Sequence, residues 1–121
     1  MEPEQINLKS TVINELNTLP GLILVKGGDI YTKRQQIEEW KLALKVKEST
    51  ILNIVESEGL LSNKEKREAE SNRRLKEDTE YQNQKILTDN LKIEIDNLAL
   101  NLEYINNKFR AAKALSRLLG E

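Results

Sequence analysis

The chain has 121 residues, of which 38% are hydrophobic and 32% charged, and its 19 Lys and Arg nearly balance its 20 Asp and Glu. It contains neither cysteine nor histidine, which excludes disulfides, thiolate chemistry, metal sites built on thiolate or imidazole, and acid–base catalysis by histidine. A net charge of −1 also excludes a strong overall field that would draw the chain to nucleic acid or to a membrane.

A first helix is predicted over residues 4–19. Apolar residues recur there at steps of three and four, the spacing of one helix face: Leu8, Val12, Leu16 and Leu19. Pro20-Gly21 is predicted to end this helix. The apolar run at residues 22–25 is too short for its period to distinguish a strand, a helical turn and a packed linker. It is also far shorter than a membrane span or a signal-peptide core, so a cytoplasmic protein is expected.

A second helix is predicted over residues 30–57 by a seven-residue recurrence of apolar positions. Its seam consists of Ile37, Trp40, Leu44, Ile51 and Ile54. Asp29 and Thr32 are alternative caps for its start, and Gly59 is expected to adopt the left-handed conformation that commonly ends a helix.

A short, highly charged helix is predicted over residues 62–77. Ser62-Asn63-Lys64-Glu65 has the capping-box pattern, in which the Ser hydroxyl and the Glu carboxylate satisfy free amides at a helix start. Two pairs of cations lie seven residues apart and share a face, with acids three or four residues away as in-helix partners: Lys66, Arg67, Arg73 and Arg74, with Glu70 and Glu77. The interleaved acids favour a solvated salt-bridge ladder over a binding patch.

A long helix is predicted over residues 79–119, with Asp78 as its cap and Glu80 in its first turn. Its main seam follows alternating steps of four and three over three heptads: Leu91, Ile95, Leu98, Leu102, Ile105, Phe109 and Ala112. The sequence therefore predicts one all-α domain over residues 1–121, an elongated helical hairpin or bundle with a long C-terminal coiled-coil helix.

A second apolar line on the long helix lies opposite the main seam and consists of Ile86, Ile93 and Leu100. Leaving three such side chains in water would forgo roughly 5–9 kcal/mol, so we expect the line to be covered. The cover is either the N-terminal helix of the same chain or the same line of a second copy. Tyr104 flanks the main seam and is a further candidate interface residue, because tyrosine is enriched at binding hot spots. A structural role at the rim of the core is the alternative for Tyr104.

The charges of the long helix are unevenly distributed, with a local −2 over residues 81–107 and a local +3 over residues 108–121. The cations at the C-terminal end are Lys108, Arg110, Lys113 and Arg117. Complementation of the helix dipole accounts for their placement. The alternative is a phosphate or acidic-protein contact, which without base-reading residues would bind DNA non-specifically.

Neighbouring carboxylates occur at Glu38-Glu39, at Glu68 with Glu70, and at Glu77-Asp78, all in stretches of alternating charge. No apolar pocket is expected there to raise a pKa. Gly27-Gly28 lacks the further residues of a phosphate-binding loop. We therefore expect no catalytic residues, no metal site and no cofactor.

The run from Ser62 to Glu70, together with Arg74 to Tyr81, Leu102 to Ile105 and Phe109-Arg110-Ala111, resembles small helical proteins of tailed phages and prophages of Gram-positive bacteria. The resemblance implies a phage accessory protein acting beside recombination or replication genes.

The expected function is that of a non-enzymatic accessory protein, homodimeric, that binds another protein of phage or host DNA metabolism. The expected partner-binding residues lie on the long helix: Ile86, Ile93, Leu100 and Tyr104. The alternatives are non-specific DNA binding through the basic C-terminal end and a structural role in an assembly.

Overall fold

The computed structural model describes residues 3–120 and is all-α within that range. Three helices follow one another along the chain: α1 (Pro3–Glu58), α2 (Lys64–Glu77) and α3 (Thr79–Leu118). The predicted all-α class and the long C-terminal helix are confirmed. The short charged helix is also present where the sequence places it.

Helix α1 is a single helix of 56 residues, so the prediction of separate helices over 4–19 and 30–57 is wrong. Residues 20–29 are helical throughout, and neither Asp29 nor Thr32 caps a helix start. The Thr32 hydroxyl instead donates a hydrogen bond to the carbonyl oxygen of Gly28, 3.1 Å away and one turn back in the same helix.

Buried positions on both sides of Pro20 explain why the helix continues through it. Pro20 removes one backbone hydrogen bond and costs ~3 kcal/mol in a helix interior. Full burial of one Leu or Ile side chain contributes ~1.5–3 kcal/mol, so several contacts outweigh that local cost. The positions that supply them recur every seven residues across Pro20 and are all buried or half-buried: Leu16, Ile23, Ile30, Ile37, Leu44 and Ile51.

The described residues group into two compact units. Residues 33–94 form one, which we call the middle unit, and residues 3–32 with 95–120 form the other, the terminal unit. The single folding domain predicted over residues 1–121 stays a prediction.

In the middle unit, the end of α1 packs with α2 and the start of α3 around a buried cluster of Ile51, Val55, Leu75 and Tyr81. Val55 is 2% exposed, whereas Ile54, which was predicted for the seam, is 47% exposed. The prediction for Ile54 is therefore wrong. The buried stripe turns to Val55 because the last turns of α1 meet α2 as well as α3.

The two long helices are antiparallel in the middle unit. The Tyr81 hydroxyl donates to Oε1 of Glu48 over 3.1 Å, and Lys33 Nζ lies 3.3 Å from Oε1 of Glu94. A later residue of α3 thus meets an earlier residue of α1, as in a helical hairpin.

The terminal unit buries apolar side chains from the first part of α1 and the last part of α3. The α1 residues are Val12, Leu19 and Ile30, and the α3 residues are Ile95, Ile105 and Ala112. Leu16 is half-buried and Leu8 is exposed, so the predicted N-terminal stripe is only partly buried. Lys108 Nζ lies 3.8 Å from Oε1 of Glu15 in this unit.

The main seam of α3 is buried or half-buried at every predicted position: Leu91, Ile95, Leu98, Leu102, Ile105, Phe109 and Ala112. Upstream, Tyr81 and Thr88 continue the same spacing and are also buried. The Thr88 hydroxyl is satisfied inside the helix, because it donates to the carbonyl oxygen of Gln84 over 2.8 Å.

The helix ends are set by local groups. Gly59 follows α1 with a φ of +65°, as predicted. The cap of α2 is Asn63 and not Ser62, since its side-chain oxygen accepts from the amides of Glu65 and Lys66. Asp78 caps α3 as predicted, with Oδ1 accepting from the Tyr81 amide over 2.8 Å.

Candidate functional site

The predicted partner-binding residues of α3 are all exposed. The exposed fractions are 57% for Ile86, 58% for Ile93, 65% for Leu100 and 64% for Tyr104. The first two belong to the middle unit and the last two to the terminal unit. The alternative in which the N-terminal helix of the same chain covers this line is wrong, because Ile86, Ile93 and Leu100 all stay more than half exposed.

These residues are part of a longer surface, which we call the outer face of α3. Since α3 is uninterrupted from Thr79 to Leu118, its periodicity places residues at alternating steps of four and three on one side. The further members are exposed as well: Asn90, Asn97, Asn107, Ala111, Ala114 and Leu118. These further members also recur every seven residues in the sequence. A search for apolar residues alone does not find this recurrence, because asparagines occupy several of its positions.

One edge of the outer face carries charges in a fixed order. Five exposed residues recur every seven positions along this edge: Asp89, Asp96, Glu103, Arg110 and Arg117. The acids come first along the helix and the cations last. The uneven charge predicted for α3 is therefore concentrated on one edge of its exposed apolar side.

The four cations predicted to bind nucleic acid are exposed on the last turns of α3, and three of them contact other groups of the chain. Lys108 pairs with Glu15, and Arg110 donates to Oδ1 of Asn107 over 3.5 Å. Lys113 Nζ lies 4.4 Å from the centre of the Phe109 ring. Arg117 lies in the last turn of α3, where it complements the helix dipole.

The cations of α2 form part of a network of ion pairs. Arg73 bridges two acids of its own helix, with its Nε 3.1 Å from Oε2 of Glu70 and its Nη1 3.0 Å from Oε1 of Glu77. Arg74 contacts Glu70 and also reaches Glu58 at the end of α1, with Nη1 3.1 Å from Oε2. The in-helix pairs match the predicted ladder. The link to Glu58 could not be found from sequence because it joins residues of different helices.

This network favours the ionised form of two of its carboxyl groups, those of Glu70 and Glu58. Hydrogen bonds from Arg73 and Arg74 lower the pKa of Glu70 from 4.5 to about 2, and a hydrogen bond from Arg74 lowers that of Glu58. The Tyr81 amide and the Lys47 side chain lower the pKa of Asp78. A general acid needs the opposite shift, so these carboxyl groups are suited to ion pairing and capping.

The carboxylates do not come together as metal ligands: within residues 3–120, no three Asp or Glu side chains are arranged to hold an ion. Burial raises the pKa of Tyr81, and its hydrogen bond to Glu48 adds to this effect. The Tyr81 hydroxyl is thus a structural donor between α3 and α1.

No protein-family model matches the chain, and neither does any curated protein or solved structure. The resemblance to small phage proteins therefore stays a prediction. None of the helices within residues 3–120 combines the length and the apolar character needed to cross a bilayer.

Proposed function

We propose that this chain is a non-enzymatic binding protein that takes up a helix of a protein partner on the outer face of α3. The observation that carries the proposal is the exposure of Ile86, Ile93, Leu100 and Tyr104, each more than half exposed. Apolar residues that share one side of a helix are the typical anchors for a partner helix.

The chemistry of the remaining side chains supports binding over catalysis. Glu70 is an ionised partner of two arginines and Asp78 is a helix cap, and the chain has no histidine or cysteine to act as a base or nucleophile. The proposal sets this binding in the cytoplasm. The resemblance suggests that the partner belongs to phage or host DNA metabolism.

The test is affinity capture from a lysate of the cells that encode the chain, using two double variants. Ile93→Asn/Leu100→Asn removes anchors from the outer face of α3. Leu42→Asn/Val46→Asn is the matched control, because these residues of α1 are similarly exposed, at 62% and 57%.

We expect a captured protein that the wild type and the control retain and that the outer-face variant loses. Its purified form should then bind the outer-face variant at least tenfold more weakly in calorimetry, while circular dichroism shows unchanged helicity. Equal capture by all three proteins would show that the outer face is not the binding surface.

Non-specific DNA binding is the second candidate function, and one arrangement favours it. Arg110, Lys113 and Arg117 follow at steps of three and four on the exposed side of the last turns of α3, so they point to one side of the helix. If these and Lys108 each neutralise one phosphate, affinity should fall about 100-fold between 50 and 200 mM salt.

An electrophoretic mobility shift of duplex DNA at these two salt concentrations tests the second candidate. Lys113→Ala/Arg117→Ala should abolish the shift, whereas Lys85→Ala/Lys92→Ala, which removes the same charge elsewhere on α3, should leave it unchanged. Absence of a shift at 50 mM salt with the wild type would eliminate DNA binding.

A further inference from the structure

We infer that the outer face of α3 pairs with the outer face of α3 in a second copy of the chain, antiparallel, with Leu100 of one copy against Tyr104 of the other. The inference rests on the proposed function, since it names a helix that the same face binds, and a helix of another protein would compete with the second copy for that face. It is carried by the order of charges and apolar residues along one uninterrupted helix.

The apolar anchors match in this register. With Leu100 facing Tyr104, Ile93 of one copy faces Ala111 of the other, and Ile86 faces Leu118. Each of these side chains is exposed in the single chain, so the pairing buries surface that the chain itself leaves open. Because the arrangement is two-fold symmetric, each contact occurs twice.

The charged edge is complementary to itself in the same register. In an antiparallel pair, residues that flank the seam on the same side of both helices face each other. Asp96 then meets Arg110 of the other copy, and Asp89 meets Arg117. Glu103 meets its own equivalent at the two-fold axis, where it forms the one like-charge pair of this edge.

The opposite edge adds a further match. Glu94 of one copy faces Lys108 of the other, and both side chains are on the exposed side of α3, although each also has an ion-pair partner on α1. Polar residues within the seam meet as well, because Asn97 faces Asn107. A polar residue within the seam of a coiled coil restricts register and oligomeric state, at a cost in stability.

Other arrangements match less well. Sliding one helix of the antiparallel pair by one heptad in one direction leaves Ile86 beyond the end of the other helix. Sliding it by one heptad in the other direction places Asp96 of one copy against Glu103 of the other. A parallel pair would set each apolar anchor against its own equivalent, but it would place Asp89 beside Glu94 of the other copy and make one kind of opposite-charge contact, between Glu103 and Lys108. Of these arrangements, the antiparallel register with Leu100 against Tyr104 makes the most opposite-charge contacts and keeps all three apolar anchors paired.

Charge exchange combined with sedimentation equilibrium tests the register on the full chain. Asp96→Arg and Arg110→Asp each turn two attractive contacts into repulsive ones, so each should weaken the dimer about tenfold or more. The double variant Asp96→Arg/Arg110→Asp restores opposite charges and should return the dissociation constant to within about threefold of the wild type. Glu39→Arg, an exposed change on α1, is the matched control and should leave it unchanged.

Spin labels test the orientation. Since the chain has no cysteine, Asn83→Cys carries a single label per copy. In the antiparallel register the two labels lie about 38 residues apart along the pair, ~57 Å at 1.5 Å per residue. A parallel pair would bring them within about two helix diameters of each other.

A wild-type chain that stays monomeric at 100 μM would refute self-association, while the capture experiment would still decide whether the outer face binds another protein. A dimer whose double charge variant stays as weak as the single variants would refute this register. A short label distance would refute the antiparallel orientation.

Discussion

Replacing Pro20 by Ala should stabilise the protein. Pro20 is exposed and lies inside the uninterrupted helix α1, where it lacks the amide that would donate to the carbonyl of Leu16. Ala is ~3 kcal/mol more favourable than Pro in a helix interior. Against this gain, the more flexible Ala raises the conformational entropy of the unfolded chain, which costs ~0.4–1 kcal/mol.

The expected net gain is therefore about 2 kcal/mol in the free energy of unfolding, measured by urea denaturation followed by circular dichroism at fixed protein concentration. Pro3→Ala is the matched control. Pro3 is the first residue of α1, where the missing amide would have no partner in the helix. That variant should change the free energy of unfolding by less than about 0.5 kcal/mol.

The outcome separates a continuous α1 from two helices joined at residues 20 and 21. If Pro20 lay in a turn, its fixed φ would favour the folded state, and Pro20→Ala would lower stability by up to ~1 kcal/mol. A loss of stability, or no change while Pro3→Ala behaves as expected, would refute the continuous helix and the packing argument that supports it.

Three further predictions follow from individual contacts. Val55→Ala should lower the free energy of unfolding by about 2 kcal/mol because Val55 is buried. Ile54→Ala should lower it by less than about 0.5 kcal/mol because Ile54 is half-exposed. Similar losses for both variants in urea denaturation would show that the buried stripe does not turn at Val55. Asn63→Ala should lower the helicity of α2 and cost about 1 kcal/mol, whereas Ser62→Ala should be nearly neutral; the reverse order would restore Ser62 as the cap. The folded-state pKa of Glu70 is lowered from 4.5 to about 2, so its contribution is present above pH 4.5 and is lost as pH falls toward 2. Urea denaturation should show this fall in stability, and Glu70→Gln should reduce its slope; an unchanged slope would mean that the ion pairs of Glu70 add no stability.

Much of α3 and its boundaries could be predicted from local sequence. The main seam from Leu91 to Ala112, the cap at Asp78 and the end of α1 at Gly59 all depend on residues within a few turns of one another. Helix periodicity, side-chain capping and positive φ act over that same short range. The position of the apolar line at Ile86, Ile93 and Leu100 could also be located in this way, because it follows from spacing alone, although the line was expected to be covered and is exposed in the single chain.

Helix α1 could not be predicted by the same means. Pro20-Gly21 and Gly27-Gly28 are strong local signals for a break in the helix. In addition, three positions of the buried side of α1, each three residues after an apolar seam residue, carry half-buried lysines, where apolar residues would have indicated a continuous helix: Lys26, Lys33 and Lys47. Such lysines pack their methylene stems and keep their charged ends toward water. The seven-residue recurrence from Leu16 to Ile51 is present in the sequence. Whether the burial of these residues outweighs the cost of Pro20 inside a helix depends on what they pack against, which the sequence does not show.

The sequence by itself determined the all-α class, the end of α1 at Gly59, the cap of α3 at Asp78 and the side of α3 that is buried, because each depends on interactions between near neighbours. The tertiary structure decided that α1 runs through Pro20, that Val55 replaces Ile54 in the cluster with Leu75 and Tyr81, and that the chain leaves the outer face of α3 open. These outcomes depend on contacts between residues far apart in sequence, whose combined burial outweighs a local preference of a few kcal/mol.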